Sequence, residues 1–255
     1  MKKLITITLI FVSLLSCENN DDIIVDDLPR LVRLTNSGLQ GNDIVFEYGQ
    51  NGYLRKVDWG ANHVNTFRYN SENQLVEVFY GDENSTTPIT YVYQNNRIVG
   101  RYVDDEPESY PDTYIYNDNG QLTQIQDPNG EIVGTFYNYD AFGNIFEKLK
   151  ISRFYTTFGE AQVYASYEYD DKINPFQFMF PEAFNNINDI VLNNLNSSIN
   201  NRTSYTYTQY ENGIGHVTHY EYVYEYNDSG LPISSIVTRT ESGSSFTAEN
   251  EFVYE

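Results

Sequence analysis

The chain has 255 residues and carries 36 Asp plus Glu against 15 Lys plus Arg, a formal charge of −21. A groove that tracks phosphates needs a basic stripe, and none is present, so nucleic acid is excluded as a partner; an anionic lipid surface is repelled as well. The sole cysteine, Cys17, excludes a disulfide framework, and 24 Tyr, 15 Phe and 29 Asn beside 2 Met and 1 Trp suit strands and turns rather than helices.

The N-terminus opens with Lys2 and Lys3, followed by a mostly apolar run from Leu4 to Leu15 that is short for a membrane span and reads as a signal peptide. Leu14-Leu15-Ser16-Cys17 resembles a bacterial lipobox. That resemblance implies removal of residues 1–16 and diacylation of Cys17 as the first residue of the processed chain, with membrane contact made through the acyl chains. Residues 17–29 form an acidic tether that starts Glu18-Asn19-Asn20-Asp21-Asp22 and closes at Pro29. This start is similar to the export signal of surface-exposed Bacteroidetes lipoproteins, so the expected location is the outer membrane, lipid-anchored and facing outward. Residues 30–255 then read as one β domain without an internal linker.

Within that domain one phrase recurs: an aromatic, any residue, a tyrosine, a polar turn, then an aliphatic. It occurs as Phe46-Glu47-Tyr48…Leu54, Phe67-Arg68-Tyr69…Leu75, Tyr91-Val92-Tyr93…Ile98 and Tyr114-Ile115-Tyr116…Leu122. It returns as Tyr137-Asn138-Tyr139…Ile145, Tyr167-Glu168-Tyr169…Ile173, Tyr224-Glu225-Tyr226…Leu231 and a closing Phe252-Val253-Tyr254. Residues two apart share a face of a strand, so both aromatics of each phrase point the same way. Asn117-Asp118-Asn119-Gly120 suits a type I turn with a left-handed glycine at its end. The phrase therefore specifies a hairpin, and the chain a long antiparallel meander in a curved or partly closed sheet.

These residues resemble the YD repeat of the RHS family, best at Tyr114 to Leu122, Tyr137 to Ile145 and Tyr224 to Leu231. The resemblance implies a ribbon of antiparallel hairpins. The chain is similar to short repeat-bearing lipoproteins of the Bacteroidetes type, including families described as porin-like in fold; that likeness implies no activity.

The phrase lapses between Asp170 and Arg202. Phe184, Ile187, Val191 and Leu192 fall at helical spacing after Pro181, which predicts a short helix over 182–192 that covers one end or face of the sheet. Asn193 to Asn201 reads as loop.

No reaction announces itself. His216 and His219 would share a helix face, but in a strand they point oppositely, and His63 lies in a turn after Trp59-Gly60 with no obvious acid beside it. Asp104-Asp105-Glu106-Pro107-Glu108 and the turn at Asn117 to Gly120 offer oxygens for calcium without the spacing of an EF-hand loop. No nucleophile elbow or phosphate-cradling loop is present. The reading is a protein without catalytic residues, metal or cofactor, serving as a structural or binding module for an unknown protein or glycan. Trp59, which breaks the repeat, is the candidate contact residue. Three alternatives stay open: a glycan-binding accessory lipoprotein that stacks exposed aromatics on sugars, a hydrolase with unlocated carboxylates, and a transmembrane barrel. The last is disfavoured because Glu47, Arg68, Asn138, Glu168 and Glu225 would face lipid.

Overall fold

The computed structural model describes residues 29–35, 42–61, 63–81, 88–103, 112–126, 134–152, 161–185, 198–211 and 214–255. Eleven shorter strands come first: β1 (Leu31–Thr35), β2 (Ile44–Tyr48), β3 (Leu54–Asp58), β4 (Val64–Tyr69), β5 (Leu75–Tyr80), β6 (Pro88–Gln94), β7 (Arg97–Val103), β8 (Asp112–Tyr116), β9 (Leu122–Gln126), β10 (Gly134–Tyr139) and β11 (Ile145–Ser152). Five longer ones follow: β12 (Ala161–Ile173), β13 (Asn200–Glu211), β14 (Ile214–Tyr226), β15 (Pro232–Glu241) and β16 (Ser244–Tyr254).

Every strand pairs with its sequence neighbours, and β16 returns to β1, so these sixteen strands form a closed barrel. The meander is as expected; the curved or partly closed sheet is not. Leu31 pairs with Tyr254 and Leu34 with Phe252, and Arg30 and Glu255 exchange two backbone hydrogen bonds of 3.0 Å. Closure gives partners to the two edges that an open sheet would leave unpaired. The alternation of a strand is the same whether it lies at an edge or not, so the pattern could not report closure.

One end of the barrel carries the repeat turns. Asn117 Oδ1 accepts from the backbone N–H groups of Asn119 and Gln121, both at 3.0 Å, and Gly120 takes φ +80°, where a Cβ would be strained. Asn70, Asp140 and Asn227 use their side-chain oxygens in the same way. The apolar residue closing the phrase lies at the start of the next strand in the first four repeats and is sealed inside: Leu54, Leu75, Ile98 and Leu122 have no solvent exposure. The first aromatics Phe46, Phe67, Tyr91, Tyr114 and Tyr137 are buried beside them.

The second tyrosine of the phrase has a further task. Tyr48 Oη donates to the carbonyl of Leu31, Tyr69 to Leu54, Tyr93 to Leu75 and Tyr116 to Ile98, at 2.6–2.8 Å. Tyr139 donates to Leu122, Tyr169 to Ile145, Tyr224 to Arg202 and Tyr254 to Pro232, at 2.7–3.0 Å. In each case the last inward tyrosine of an even strand, or the one before it in β14, reaches the start of the odd strand preceding it. The ladder between those two strands has stopped by then: β3 and β4 pair only from Lys56 to Asp58. A strand-end carbonyl that backbone no longer serves needs another donor, and the phenol supplies it.

The lapse in the repeat is a plug at this end. Asn174 caps a 3-10 turn over Pro175–Phe178, and a single helical turn, α1 (Glu182–Asn185), follows. This corrects the predicted helix over 182–192: one turn forms, and 186–192 lies outside the described residues. The segment is used for its aromatics, four residues apart, rather than for a helical face. Phe176 packs on Phe46, Phe180 on Phe67 and Phe184 on Tyr91, with ring centroids 6.1, 5.1 and 5.3 Å apart, so successive plug rings seat on successive repeats. Leu54 N–H donates to Met179 O at 2.7 Å and ties the plug to the wall.

Candidate binding site

β12 to β16 have 10 to 13 residues, whereas β1 to β11 have 5 to 8. Their turn ends are level with the others through the tyrosine bonds of Tyr169, Tyr224 and Tyr254, so the surplus length stands at the far end as a taller stretch of wall. Register sets one row across the inner face of these strands, running from the repeat ring Tyr167 outward: Tyr167 opposite Tyr205, Tyr205 opposite Tyr220, Tyr220 opposite Arg239 and Arg239 opposite Phe246.

The rings in this row stack. Tyr167 and Tyr205 lie 5.0 Å apart at 11°, Tyr205 and Tyr220 5.5 Å apart at 22°, and Tyr205 also stacks on Tyr207 at 5.9 Å. Arg202 inserts beside them, with its guanidinium 4.8 Å from the Tyr205 ring centroid and 5.1 Å from that of Tyr222. Its Nη2 donates to Tyr222 Oη at 3.0 Å. Further out, Arg239 pairs with Glu241, and Phe246 is 52 % exposed. The inner face is therefore dry at the plugged end and wet at the far end.

The inner face is also cationic. Arg101, opposite inward Tyr91, is buried; Lys148 lies 5.6 Å over the inward Tyr137 ring; Arg239 lies in the tyrosine row and Arg202 packs against it. Among the described residues the outer face carries most of the acids, only some of them paired with cations. Glu47 pairs with Arg55, Glu77 with Arg68 and Glu147 with Asn138, while Glu168, Glu221, Glu225, Glu249 and Glu251 are exposed. A lipid-facing wall needs an apolar outward set instead.

A groove of about 640 Å³ on that outer face is lined by Phe146, Glu147, Glu168, His219, Glu221 and Val223 among others. Hydrogen bonds from Tyr164 and Asn138 hold the Glu147 carboxyl below its ordinary range, the opposite of what a general acid requires.

Trp59 follows β3 at the far end of the barrel and packs, partly buried, against the core. Its indole Nε1 lies 3.2 Å from the Asn65 amide, which accepts from it when its oxygen faces the ring. His216 and His219 take opposite faces as expected; His219 Nδ1 contacts Thr206 Oγ1 at 2.7 Å and its Nε2 lies 3.6 Å from Glu221. His63 sits in the β3–β4 turn, where its N–H donates to the Gly60 carbonyl. Among the described residues no three His, Cys, Asp or Glu side chains gather. Cys17 and Asp104 to Glu108 lie outside the described residues. Sequence reasoning passed over Arg202 and Arg239; the alternation of Tyr220, Tyr222, Tyr224 and Tyr226 was visible, but only register brings the two arginines onto the tyrosine row.

A family model described as RHS Repeat matches residues 116–150. No curated protein matches the chain. Among solved structures, a porin-like protein from Bacteroides uniformis aligns at 14 % identity over 84 % of this chain and 89 % of that one, with a TM-score of 0.42. The TcdB2-TccC3-TEV and TcdB2-TccC3-Cdc42 structures align at 10 % and 11 % identity, over 78 % and 79 % of this chain but 10 % and 11 % of theirs, with TM-scores of 0.37 and 0.32. Tyr116, Asn117, Gly120, Leu122, Tyr139, Asp140, Gly143 and Ile145, which belong to the wall at β8 to β11, all fall inside the matched stretch, so the hairpin phrases of that stretch match the RHS, or YD, repeat.

Proposed function

We propose that the protein is a non-enzymatic binding module of the bacterial envelope, anchored through diacylated Cys17 and presenting the far end of the barrel to a partner. The tyrosine row carries this reading. Rings repeated in every hairpin are spent on the wall and plug, whereas Tyr205, Tyr207 and Tyr220 belong to strands longer than the wall requires and keep part of their surface wet. Exposed aromatic surface with a charged neighbour is the composition of a contact patch. Trp59, at the same end, is the proposed additional contact. Because the row offers ring edges and phenol hydroxyls beside arginine, partners that sugar hydroxyls and C–H groups can use, the glycan-binding reading is favoured over a purely structural one.

The anchor is tested by Cys17→Ala: the variant is expected to move from the membrane to the soluble fraction on cell fractionation, and continued membrane retention would contradict it. Contact is tested by envelope pull-down with the protein, Trp59→Ala and Tyr220→Ala; capture that is indifferent to both substitutions would remove the proposed site.

A further inference from the structure

The partition of charge identifies the class of ligand. With a formal charge of −21, the molecule as a whole repels anions. Even so, the inner face places Arg239 in the tyrosine row and Arg202 against it, with Lys148 opposite Ala165, which itself pairs with Tyr207. Among the described side chains Glu241 is the inward acid at this level, and it is already paired with Arg239. A neutral sugar would need the flat rings and hydroxyl partners but no cations. The row places guanidinium donors within one strand spacing of stacked phenols, and guanidinium groups recognise carboxylate or sulfate oxygens in paired, charge-assisted bonds.

Building on the binding-module reading above, we propose that the inner face of the long hairpins binds an anionic glycan, with the exposed edges and hydroxyls of the stacked Tyr205 and Tyr220 lining it and Arg239 taking the acidic substituent. The acidic exterior keeps such a polymer off the outer wall, so it can be held only at the far end. Carboxylated and sulfated sugars share this chemistry, and the probes separate them.

The experiment measures binding of the purified protein to polygalacturonate, to its fully methyl-esterified form, to dextran sulfate and to neutral dextran, by affinity electrophoresis and calorimetry at low and high salt. Retention by polygalacturonate or dextran sulfate, lost on raising salt and at least about tenfold weaker in Tyr220→Ala and in Arg239→Gln, is the expected result. Glu241→Gln frees Arg239 and should tighten binding, a sign that a merely structural role for these residues would not produce. Unchanged thermal unfolding of the partly exposed variants is the control for folding. Equal retention by the esterified polymer would overturn the anionic assignment and leave the aromatic binding site standing. Retention by no polymer, together with envelope capture that still depends on Tyr220, would overturn the glycan assignment alone; loss of both would overturn the binding-module reading as well.

Discussion

The tyrosine hydroxyl is the smallest unit that explains this barrel. Eight phenols each donate a hydrogen bond to a carbonyl at or near the start of the preceding odd strand, where the ladder between hairpins has stopped. Phenylalanine would fill the same volume and leave that carbonyl without a partner, which is why the repeat specifies tyrosine at its second aromatic and tolerates Phe46 or Phe67 at its first. Tyr69→Phe should therefore destabilise the protein by about 1–3 kcal/mol in denaturant unfolding, whereas Tyr210→Phe, at an exposed ring, should change little. Equal effects at the two sites would remove the hydroxyl from the account. Half of this was legible beforehand: the spacing puts both aromatics on one face, but nothing in a single phrase says that its tyrosine reaches into the previous one.

At the scale of elements, the plug shows what breaks a repeat. Pro175, Pro181 and the asparagines around Asn185 end the strand pattern, and the apolar residues that remain are seated one per repeat on Phe46, Phe67 and Tyr91. Helical spacing of Phe184 and Ile187 suggested a helix, yet a ring every four residues also matches the walk from one hairpin unit to the next, and wall contacts outweigh the weak helix propensity of an Asn-rich segment. The expected covering role survives with a different backbone. Phe180 meets both Phe67 and Phe184, with ring centroids at 5.1 and 4.8 Å, so Phe180→Ala should cost about 3–5 kcal/mol in unfolding free energy. A loss under about 1 kcal/mol would mean that the plug rests on the wall without stabilising it. The long hairpins are the second element-scale feature: their length was readable as continuous alternation from Tyr205 to Tyr226, but the arginine placed inside the row was not, because alternation gives a face only after the barrel decides which face is inner.

Over the whole molecule, burying so many phenols ties stability to alkaline pH. Burial is the main cause that raises Tyr167 and Tyr169 to about 12 from an ordinary 10.0, and Tyr116 moves the same way. A group whose pKa is raised by folding contributes fully below its unfolded value, and that contribution is lost as pH climbs from about 10 through the folded value. Each well-buried tyrosine then costs about 1.4 kcal/mol per pH unit in that window. The expected result is a cooperative loss of near-ultraviolet circular dichroism between pH 10 and 12, coincident with tyrosinate absorbance. Gradual ionisation with the signal retained would show the rings to be wetter than the structure has them.

What the amino-acid sequence determined alone is the unit: alternation, turn chemistry and the recurring phrase specify an inward aromatic face and an Asn- or Asp-anchored turn, because these depend on residues within one hairpin. Closure, the seating of the plug and the meeting of Arg239 with Tyr220 were decided only in three dimensions. Each depends on which strand lies beside which after the chain has gone around, and local propensity carries no record of that.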